Sequence, residues 1–321
     1  MTKEKLFATV YNTLNQTERE DVLRAIVVGH PRFNLLRFEH FERFGMSTDT
    51  AVYGCEGVEY VFVPGDTVTL GWEDFAVGMD ESTRNDMIEA LEELGIANPN
   101  LDTYLRESMS PIRMVKVSPM LVERDLNDIG WRRVALDSPE LVPFQKYIQK
   151  YHGQIEVNNK MRMYKNGDEL IAEMYDPVSM DDFLARVHES GFSLPTEDEW
   201  EYLCGGGSRT LFRWGDSFDY DMKLYCFERG KPADAPYTLE LPNQFGLSIA
   251  YNPYRYEVVE GSEYFLKGGD GGCNICGVSG IVLGYLPTAT YFRGYSLSED
   301  TLGYKTDIGG DYTFYRRIFR L

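Results

Sequence analysis

Residues 191–216 read GFSLPTEDEWEYLCGGGSRTLFRWGD, and they carry the most informative pattern in the chain. Thr196 is the predicted N-cap of a helix, and Glu199 occupies the third helical position, where it completes a capping box. The acidic residues of the first turn face the positive end of the helix dipole. Glycines 205–207 end the helix. Three residues recur at helical spacing and predict its buried face: Trp200, Leu203 and Cys204.

A turn with an aromatic anchor follows this helix and reads Arg213-Trp214-Gly215-Asp216. Residues 194–202 and 214–216 together resemble the signature of the formylglycine-generating, or sulfatase-modifying-factor, family. In that family a Leu-Pro-Thr-Glu-x-Glu-Trp-Glu-Tyr helix precedes a glycine-rich loop and an aromatic-Trp-Gly-Asp turn. An ordinary capped helix packed by a tryptophan would explain the local structure, but it would not explain why all the residues of these two segments match the family's order.

Shorter patches extend the resemblance along the chain. They are residues 58–71 (VEYVFVPGDTVTLG), 177–179 (PVS), 241–247 (LPNQFGL), 265–269 (FLKGG) and 319–321 (FRL). The resemblance covers residues 57–321 and implies the C-type-lectin-like fold of that family. We therefore expect an α+β domain over residues 57–321 that is rich in loops and has small antiparallel sheets.

Residues 1–50 are predicted to form a separate helical segment. Leu6, Val10 and Leu14 fall on one face of a first helix, and Thr17 can cap a second helix, with Glu20 closing a capping box. A third short segment, 35–44, carries leucines and phenylalanines. Because so small a segment buries little surface alone, we expect it to dock on the main domain or on a partner.

Local patterns place further elements between these patches. Residues 80–95 indicate a polar helix with one apolar face and a glycine stop. Residues 114–117 and 120–123 indicate strands, and residues 165–168 (KNGD) are typical of a hairpin tip. The Asp-Pro-Val-Ser run at 176–179 is expected to cap another helix.

The formal net charge of −19 limits the partners of the chain. Nucleic-acid binding needs clustered Lys and Arg, and the sequence has no basic patch. An anionic membrane surface would repel the chain as well. A protein or peptide client is the remaining class, and a basic one fits the charge, although solubility alone can also explain a high net charge.

The cysteine count and the hydropathy pattern predict a cytoplasmic protein. The five cysteines are an odd number without a regular framework, which argues against a disulfide-stapled secreted domain. The first residues lack the uninterrupted apolar core of a signal peptide, and no apolar run approaches membrane-spanning length.

The resemblance also implies a chemistry, since the family holds a copper(I) ion between two cysteines that follow a Gly-Gly turn and lie five residues apart. Thiolate is the soft ligand that copper(I) prefers. Here residues 268–276 read GGDGGCNIC, so Cys273 falls at the first position. The second position is Val278, and Cys276 lies only three residues beyond Cys273.

Three interpretations of this pair are open. Cys276 can serve as the second copper ligand in a loop that its glycines allow to be reshaped. The CxxC can instead be a redox or zinc half-site, although no further Cys or His has an obvious zinc spacing. Finally, both thiols can be structural or vestigial, and this third interpretation is favoured.

Four further residues are candidate binding residues. Arg255 replaces the glutamate of the family's Gly-Asn-Val-Trp-Glu-Trp segment, while Asn252 keeps its asparagine, so calcium is not expected at this loop. Asp270 can hold a cation, but it more commonly accepts backbone N–H bonds in such a turn. Arg293 is expected in a buried ion pair rather than on a substrate.

Two functions from different classes follow. The first is a divergent member of the family that binds a protein or a small ligand without catalysis. The second is a copper-dependent oxidase that acts on a cysteine of a client protein. The changed cysteine spacing and Arg255 favour the binding protein. A hydrolase is not expected, because no Gly-x-Ser-x-Gly or Ser-His-Asp arrangement is visible.

Overall fold

The computed structural model describes residues 2–73, 78–150, 153–157, 159–261, 264–277, 280–293, 296–297, 306–310 and 312–321. These residues form an α+β fold with small, mostly antiparallel sheets. The helices are α1 Ala8–Tyr11, α2 Gln16–Gly29, α3 Glu81–Glu93, α4 Leu101–Ser108, α5 Gln145–Ile148, α6 Met180–Glu189, α7 Glu197–Gly205, α8 Cys273–Cys276 and α9 Gly280–Tyr285.

The strands are two to ten residues long, and they lie between the helices in no regular order along the chain. They are β1 Asn34–Arg43, β2 Met46–Cys55, β3 Val58–Val63, β4 Asp66–Leu70, β5 Arg113–Val117, β6 Met120–Glu123, β7 Asn127–Asp128, β8 Trp131–Val134, β9 Gln154–Val157, β10 Met161–Asn166, β11 Glu169–Tyr175, β12 Tyr256–Val258, β13 Tyr264–Lys267, β14 Ser296–Leu297, β15 Thr313–Tyr315 and β16 Ile318–Arg320.

The first fifty residues are helical only up to Gly29. Helix α2 forms as expected, but its N-cap is Asn15, with Glu18 closing the capping box. The helical prediction for the segment that follows is wrong, because β1 and β2 form a hairpin there. Its turn places Phe44 and Gly45 at φ 50° and 75°, the backbone of a tight two-residue hairpin turn. Pairing along both strands overrides the apolar pattern that suggested a helix.

One of two five-stranded sheets has the order β1-β2-β3-β6-β16. Side chains of β3 alternate between two cores, with Val61 and Val63 in one and Tyr60 and Phe62 in the other. Since successive strand residues point to opposite faces, this sheet is covered on both faces. Its hairpin β1-β2 precedes residue 57, so the sheet joins the N-terminal segment to the rest of the chain.

The described residues form three further sheets. Their orders are β8-β11-β10-β9, β14-β13-β12-β15-β7 and β4-β5. All pairings are antiparallel except that of β12 with β15. The predicted tip at 165–168 joins β10 to β11. None of the described helices is long and apolar enough to cross a bilayer.

Helix α7 confirms the prediction made from residues 191–216. Thr196 accepts the Glu199 backbone N–H, and the Glu199 carboxylate accepts the Thr196 backbone N–H, so the capping box is complete. Gly206 ends the helix in the left-handed conformation at φ 61°. Trp200 and Cys204 are fully buried. The helix therefore anchors the core on which the second half of the chain packs.

The acidic side of α7 is neutralised by cations from distant segments. Lys267 Nζ, on β13, lies 2.9 Å from Glu201 Oε1 and 3.5 Å from Glu197 Oε1. Arg113 donates to Glu201 at 3.0 Å, and Arg293 donates to Glu197 at 3.0 Å. These bonds fix β13, and with it the turn that follows, against the helix.

Candidate functional site

A glycine-rich turn carries the chain from β13 into α8. Gly269 is required by close approach, because a Cβ there would lie 2.5 Å from the Arg255 carbonyl oxygen. Gly272 precedes α8 at φ 79°, and a Cβ there would lie 2.1 Å from the Tyr254 ring. The Asp270 backbone N–H donates to the Pro253 carbonyl at 2.9 Å. The turn is therefore packed directly on residues 253–255.

Helix α8 is a single turn that consists of residues 273–276, and it places Cys273 and Cys276 together. Side chains three residues apart on a helix lie on the same side, with Cβ atoms about 5–6 Å apart. Both thiols are exposed, whereas Ile275, between them in sequence, packs against the core. Asn274 holds the turn to α9 by donating from Nδ2 to the Leu283 carbonyl at 3.1 Å.

The hydroxyl of Tyr254 contacts one of the α8 thiols. It forms a hydrogen bond with Cys276 Sγ at 3.2 Å. A further thiol, Cys226, lies in a tight turn whose ends are anchored, because Leu224 is buried and the Phe227 ring packs against Tyr285. Cys276 is therefore the thiol that Tyr254 engages.

Tyr254 beside Cys276 and Tyr225 next to Cys226 each belong to a pair of tyrosine rings. Tyr254 pairs with Tyr312 at a ring-centroid distance of 6.0 Å, and Tyr225 pairs with Tyr237 at 5.9 Å. Tyr225 is 53% exposed and Tyr312 is 44% exposed, whereas Tyr254 and Tyr237 are half-buried. We call the four tyrosines, with Cys226 and Cys276, the tyrosine surface. Rigid rings give contact area at a low cost in conformational entropy, so this surface is suited to recognition.

Two thiols and one phenol in this region have raised pKa values. Burial raises the pKa of Cys273, and the neighbouring Asp270 and Cys276 raise it further. Burial also raises the pKa of Cys226. The hydrogen bond with Cys276 raises the pKa of Tyr254. Cys273 and Cys226 are therefore neutral thiols at pH 7, and a neutral thiol is a weaker nucleophile and metal ligand than a thiolate.

The predicted binding residues Asn252 and Arg255 lie beside this surface. The Asn252 side-chain oxygen accepts the Tyr254 backbone N–H at 3.0 Å, which shapes the loop. Arg255 donates to the Tyr251 hydroxyl at 2.7 Å and stacks over the Phe314 ring at 4.8 Å. The Asn243 side-chain oxygen likewise accepts two backbone N–H groups, from Phe245 and Leu247. Both asparagine oxygens therefore serve to shape backbone turns.

Asp270 and Arg293 have the contacts that the sequence favours. Asp270 is buried, and one carboxylate oxygen accepts the Asn274 backbone N–H at 2.9 Å. Burial raises the pKa of Asp270. Arg293 pairs with Glu197, which is only 12% exposed, so the predicted structural ion pair is present. Arg293 belongs to the α7 charge cluster and not to the tyrosine surface.

The cysteine pair meets only part of what copper(I) requires. Its donor atoms and its position on one helical turn fit a soft ion, but the raised pKa of Cys273 opposes the thiolate form. Val278, the family's second position, lies outside the described residues. Within the part of the chain that is described, no cluster of three or more His, Cys, Asp and Glu side chains could hold a metal.

No protein-family model matches this chain, and no curated protein gives a significant match to it.

Sequence reasoning missed most of the tyrosine surface. It pointed to the two α8 cysteines, but it gave no role to Cys226, Tyr225, Tyr237 or Tyr312. These residues come from segments 224–237 and 312–315, which are far from 254 and 276 in the chain. No spacing rule links them, and the abundance of tyrosine was the one indication in the sequence.

Proposed function

We propose that the protein is a divergent, non-catalytic relative of the formylglycine-generating family that binds a basic peptide segment of a client protein. Its C-type-lectin-like domain would present the tyrosine surface for this purpose. The observation that carries the proposal is the two tyrosine pairs, Tyr254 with Tyr312 and Tyr225 with Tyr237, each of which presents one exposed ring.

Several local structures support the family assignment. The capped helix α7, the strand β13 followed by a positive-φ Gly268, and the closing strand β16 all occur where the family's motifs predict them. They are patches rather than a continuous match. The free state of all five cysteines supports a cytoplasmic location, since reducing compartments keep thiols unpaired.

Charge and ring chemistry favour a basic client. The chain carries a net charge of −19, and Glu228 accepts a hydrogen bond from the Tyr237 hydroxyl at the edge of the tyrosine surface. Tyrosine rings attract Lys and Arg side chains through cation–π contacts, each worth about 0.5–1 kcal/mol at an exposed site. A positively charged, flexible peptide would gain affinity both from the negative net charge of the protein and from cation–π contacts with the tyrosine rings. Nucleic acids and anionic membranes would be repelled.

The thiols support binding more than catalysis. An oxidase of this type needs thiolates that take up copper(I) readily, whereas partial desolvation and the neighbouring Asp270 raise the pKa of the exposed Cys273 thiol. Cys276 is engaged by the Tyr254 hydroxyl. The thiols then act as small, polarisable contacts within the tyrosine surface.

Fluorescence anisotropy with two labelled peptides tests this function. One peptide contains Arg and Gly in alternation, and the other contains Glu and Gly. We expect the basic peptide to bind, with affinity that falls at least tenfold in Tyr225→Ala and in Tyr312→Ala. Tyr147→Ala is a matched control, because Tyr147 is 39% exposed on α5 and lies outside the tyrosine surface. Equal binding of both peptides, or equal loss in the control, would contradict the proposal.

The second candidate function is a copper-dependent oxidase. One observation favours it: Cys273 and Cys276 are both exposed and occupy a single helical turn, so one ion can reach both sulfurs. Competition for copper(I) against a coloured chelator, with the wild type and Cys273→Ser, tests this candidate. Tight binding that the substitution abolishes would favour the oxidase.

A further inference from the structure

A cavity away from the tyrosine surface is lined by residues of helix α6 and of strands β7, β8 and β15. Its volume is about 380 Å³, which is in the size range of sites for small organic molecules. Helix α6 and its C-cap line it with Phe183, Arg186, Val187 and Ser190. These residues are spaced three or four apart, so they share one face of the helix. None of the residues that line the cavity belongs to the tyrosine surface.

Aromatic side chains form part of the cavity wall. Phe183 is buried and meets the Tyr315 ring edge-on at a centroid distance of 4.8 Å. Trp131 packs on Tyr175 at 5.1 Å, and Val187 adds buried aliphatic surface. Such a wall removes the apolar part of a ligand from water, and an aromatic ligand gains further from edge-on or stacked contact with the rings.

The charges that line the cavity are balanced except for one. Four of the five charged side chains lie within 3.0 Å of a partner of opposite charge: Asp128 with Arg162, Arg132 and Asp176 with each other, and Arg317 with Glu123. The fifth is Arg186, which is exposed and has no side-chain hydrogen bond or ion pair with any residue that the structure describes. The cavity therefore presents one uncompensated positive charge.

Two neutral donors line the cavity beside this charge. The Tyr315 hydroxyl and the Trp131 indole N–H make no hydrogen bond with the described part of the chain. An indole N–H can only donate, and a guanidinium carries five donors and no acceptor. The cavity therefore calls for a ligand that supplies acceptor oxygens, and a carboxylate matches the planar fork of an arginine.

We propose that this cavity binds a small organic carboxylate with an aromatic body. The carboxylate would pair with Arg186, and its ring would pack against Phe183 and Trp131. One uncompensated charge suits a monoanion better than a phosphate dianion. The negative net charge of the chain does not prevent this pairing, because exposed charges more than about 8 Å apart are largely screened at physiological ionic strength. This site goes beyond peptide binding, and its ligand has the opposite charge to the proposed client.

Three matched probes separate the charge from the ring. They are 3-phenylpropionate, its neutral amide 3-phenylpropionamide, and acetate, which carries the charge without the ring. Each is titrated against the full-length protein by ligand-observed NMR. We expect 3-phenylpropionate to bind at least tenfold more tightly than the amide, because hydrogen bonds to a charged group are the stronger ones. Acetate is expected to bind more weakly than 3-phenylpropionate.

Arg186→Gln tests the assigned cation. We expect the affinity for 3-phenylpropionate to fall at least tenfold, to that of the amide, while the affinity for the amide stays unchanged. A merely structural role of Arg186 would weaken both probes alike. Arg229→Gln is the matched control, since Arg229 is also exposed and without a partner among the described residues, but it does not line the cavity.

Circular dichroism verifies the fold of both variants. No measurable binding of 3-phenylpropionate, or equal affinity for this acid and its amide, would overturn the proposal. So would unchanged affinity for the acid in Arg186→Gln, or an equal loss in Arg229→Gln.

Discussion

The ammonium group of Lys267 lies 2.9 Å from Glu201 Oε1, and both side chains are fully buried. This pair ties β13, the strand before the glycine-rich turn, to helix α7. Burying two charges is costly, so the pair does not by itself guarantee stability. Removing one partner, however, leaves the other charge buried with fewer partners.

Lys267→Met is therefore expected to destabilise the protein by about 3 kcal/mol. The double variant Lys267→Met/Glu201→Met is expected to recover part of this loss, because it removes both buried charges. Denaturant unfolding measures both effects. Lys165→Met, at an exposed hairpin tip, is the matched control and is expected to change stability by less than about 0.5 kcal/mol. Equal effects at the two lysines would refute a special role for the pair.

Asp270 is expected to make stability depend on pH. Burial raises its pKa above the ordinary value of 3.8, so the folded protein binds this proton more tightly than the unfolded chain does. Stability from this group is full below 3.8 and is lost as the pH rises through the folded value. Thermal unfolding between pH 3.5 and 7 should show a smaller loss in Asp270→Asn than in the wild type. Parallel curves for the two proteins would show that this carboxyl does not contribute.

Gly272→Ala is expected to displace Tyr254. An alanine held in this left-handed backbone conformation destabilises the fold by about 1–3 kcal/mol. Its Cβ would also clash with the Tyr254 ring. Gly167→Ala is the matched control, because it has φ 60° and open space around it. A larger drop in melting temperature at Gly272, with faster reaction of Cys276 with an aromatic disulfide reagent, is the expected result. Equal drops and unchanged thiol reactivity would contradict this role of the glycine.

Calcium removal is expected to leave stability unchanged. The side-chain oxygens of Asn243 and Asn252 accept backbone N–H groups, and Arg255 adds a positive charge beside the second loop. Thermal unfolding with and without a calcium chelator measures this directly. A midpoint that falls by several degrees on chelation would mean that the loops do hold calcium.

The parts of the fold that could be predicted from the sequence depend on local physics. Helix α7 begins at a capping box and ends at glycine, and both rules concern residues within one turn of each other. The hairpin β1-β2 could not be predicted in the same way, since its apolar residues also fit a helix. Its strands are stabilised by pairing with β3 and by the cores on either side.

The candidate site was predictable only in part, for the same reason. Cys273 and Cys276 could be found from the glycine-rich turn before them. Cys226 could not be found in this way, because the turn at 224–227 is held by the contact of Phe227 with Tyr285, at the end of α9, and these segments are far apart in sequence. For the charge cluster around Glu197 and Glu201, the sequence likewise indicated only the acidic residues of α7, and not the cations from distant segments that pair with them.

Oxygen uptake tests the central claim, that this surface binds without catalysing oxidation, most directly. The protein is loaded with copper(I), supplied with a peptide that contains one cysteine, and followed with an oxygen electrode beside Cys273→Ser. We expect the same slow uptake for both proteins, because the pKa of the Cys273 thiol is raised and Cys276 is engaged by Tyr254. Rapid uptake by the wild type that Cys273→Ser abolishes would contradict it.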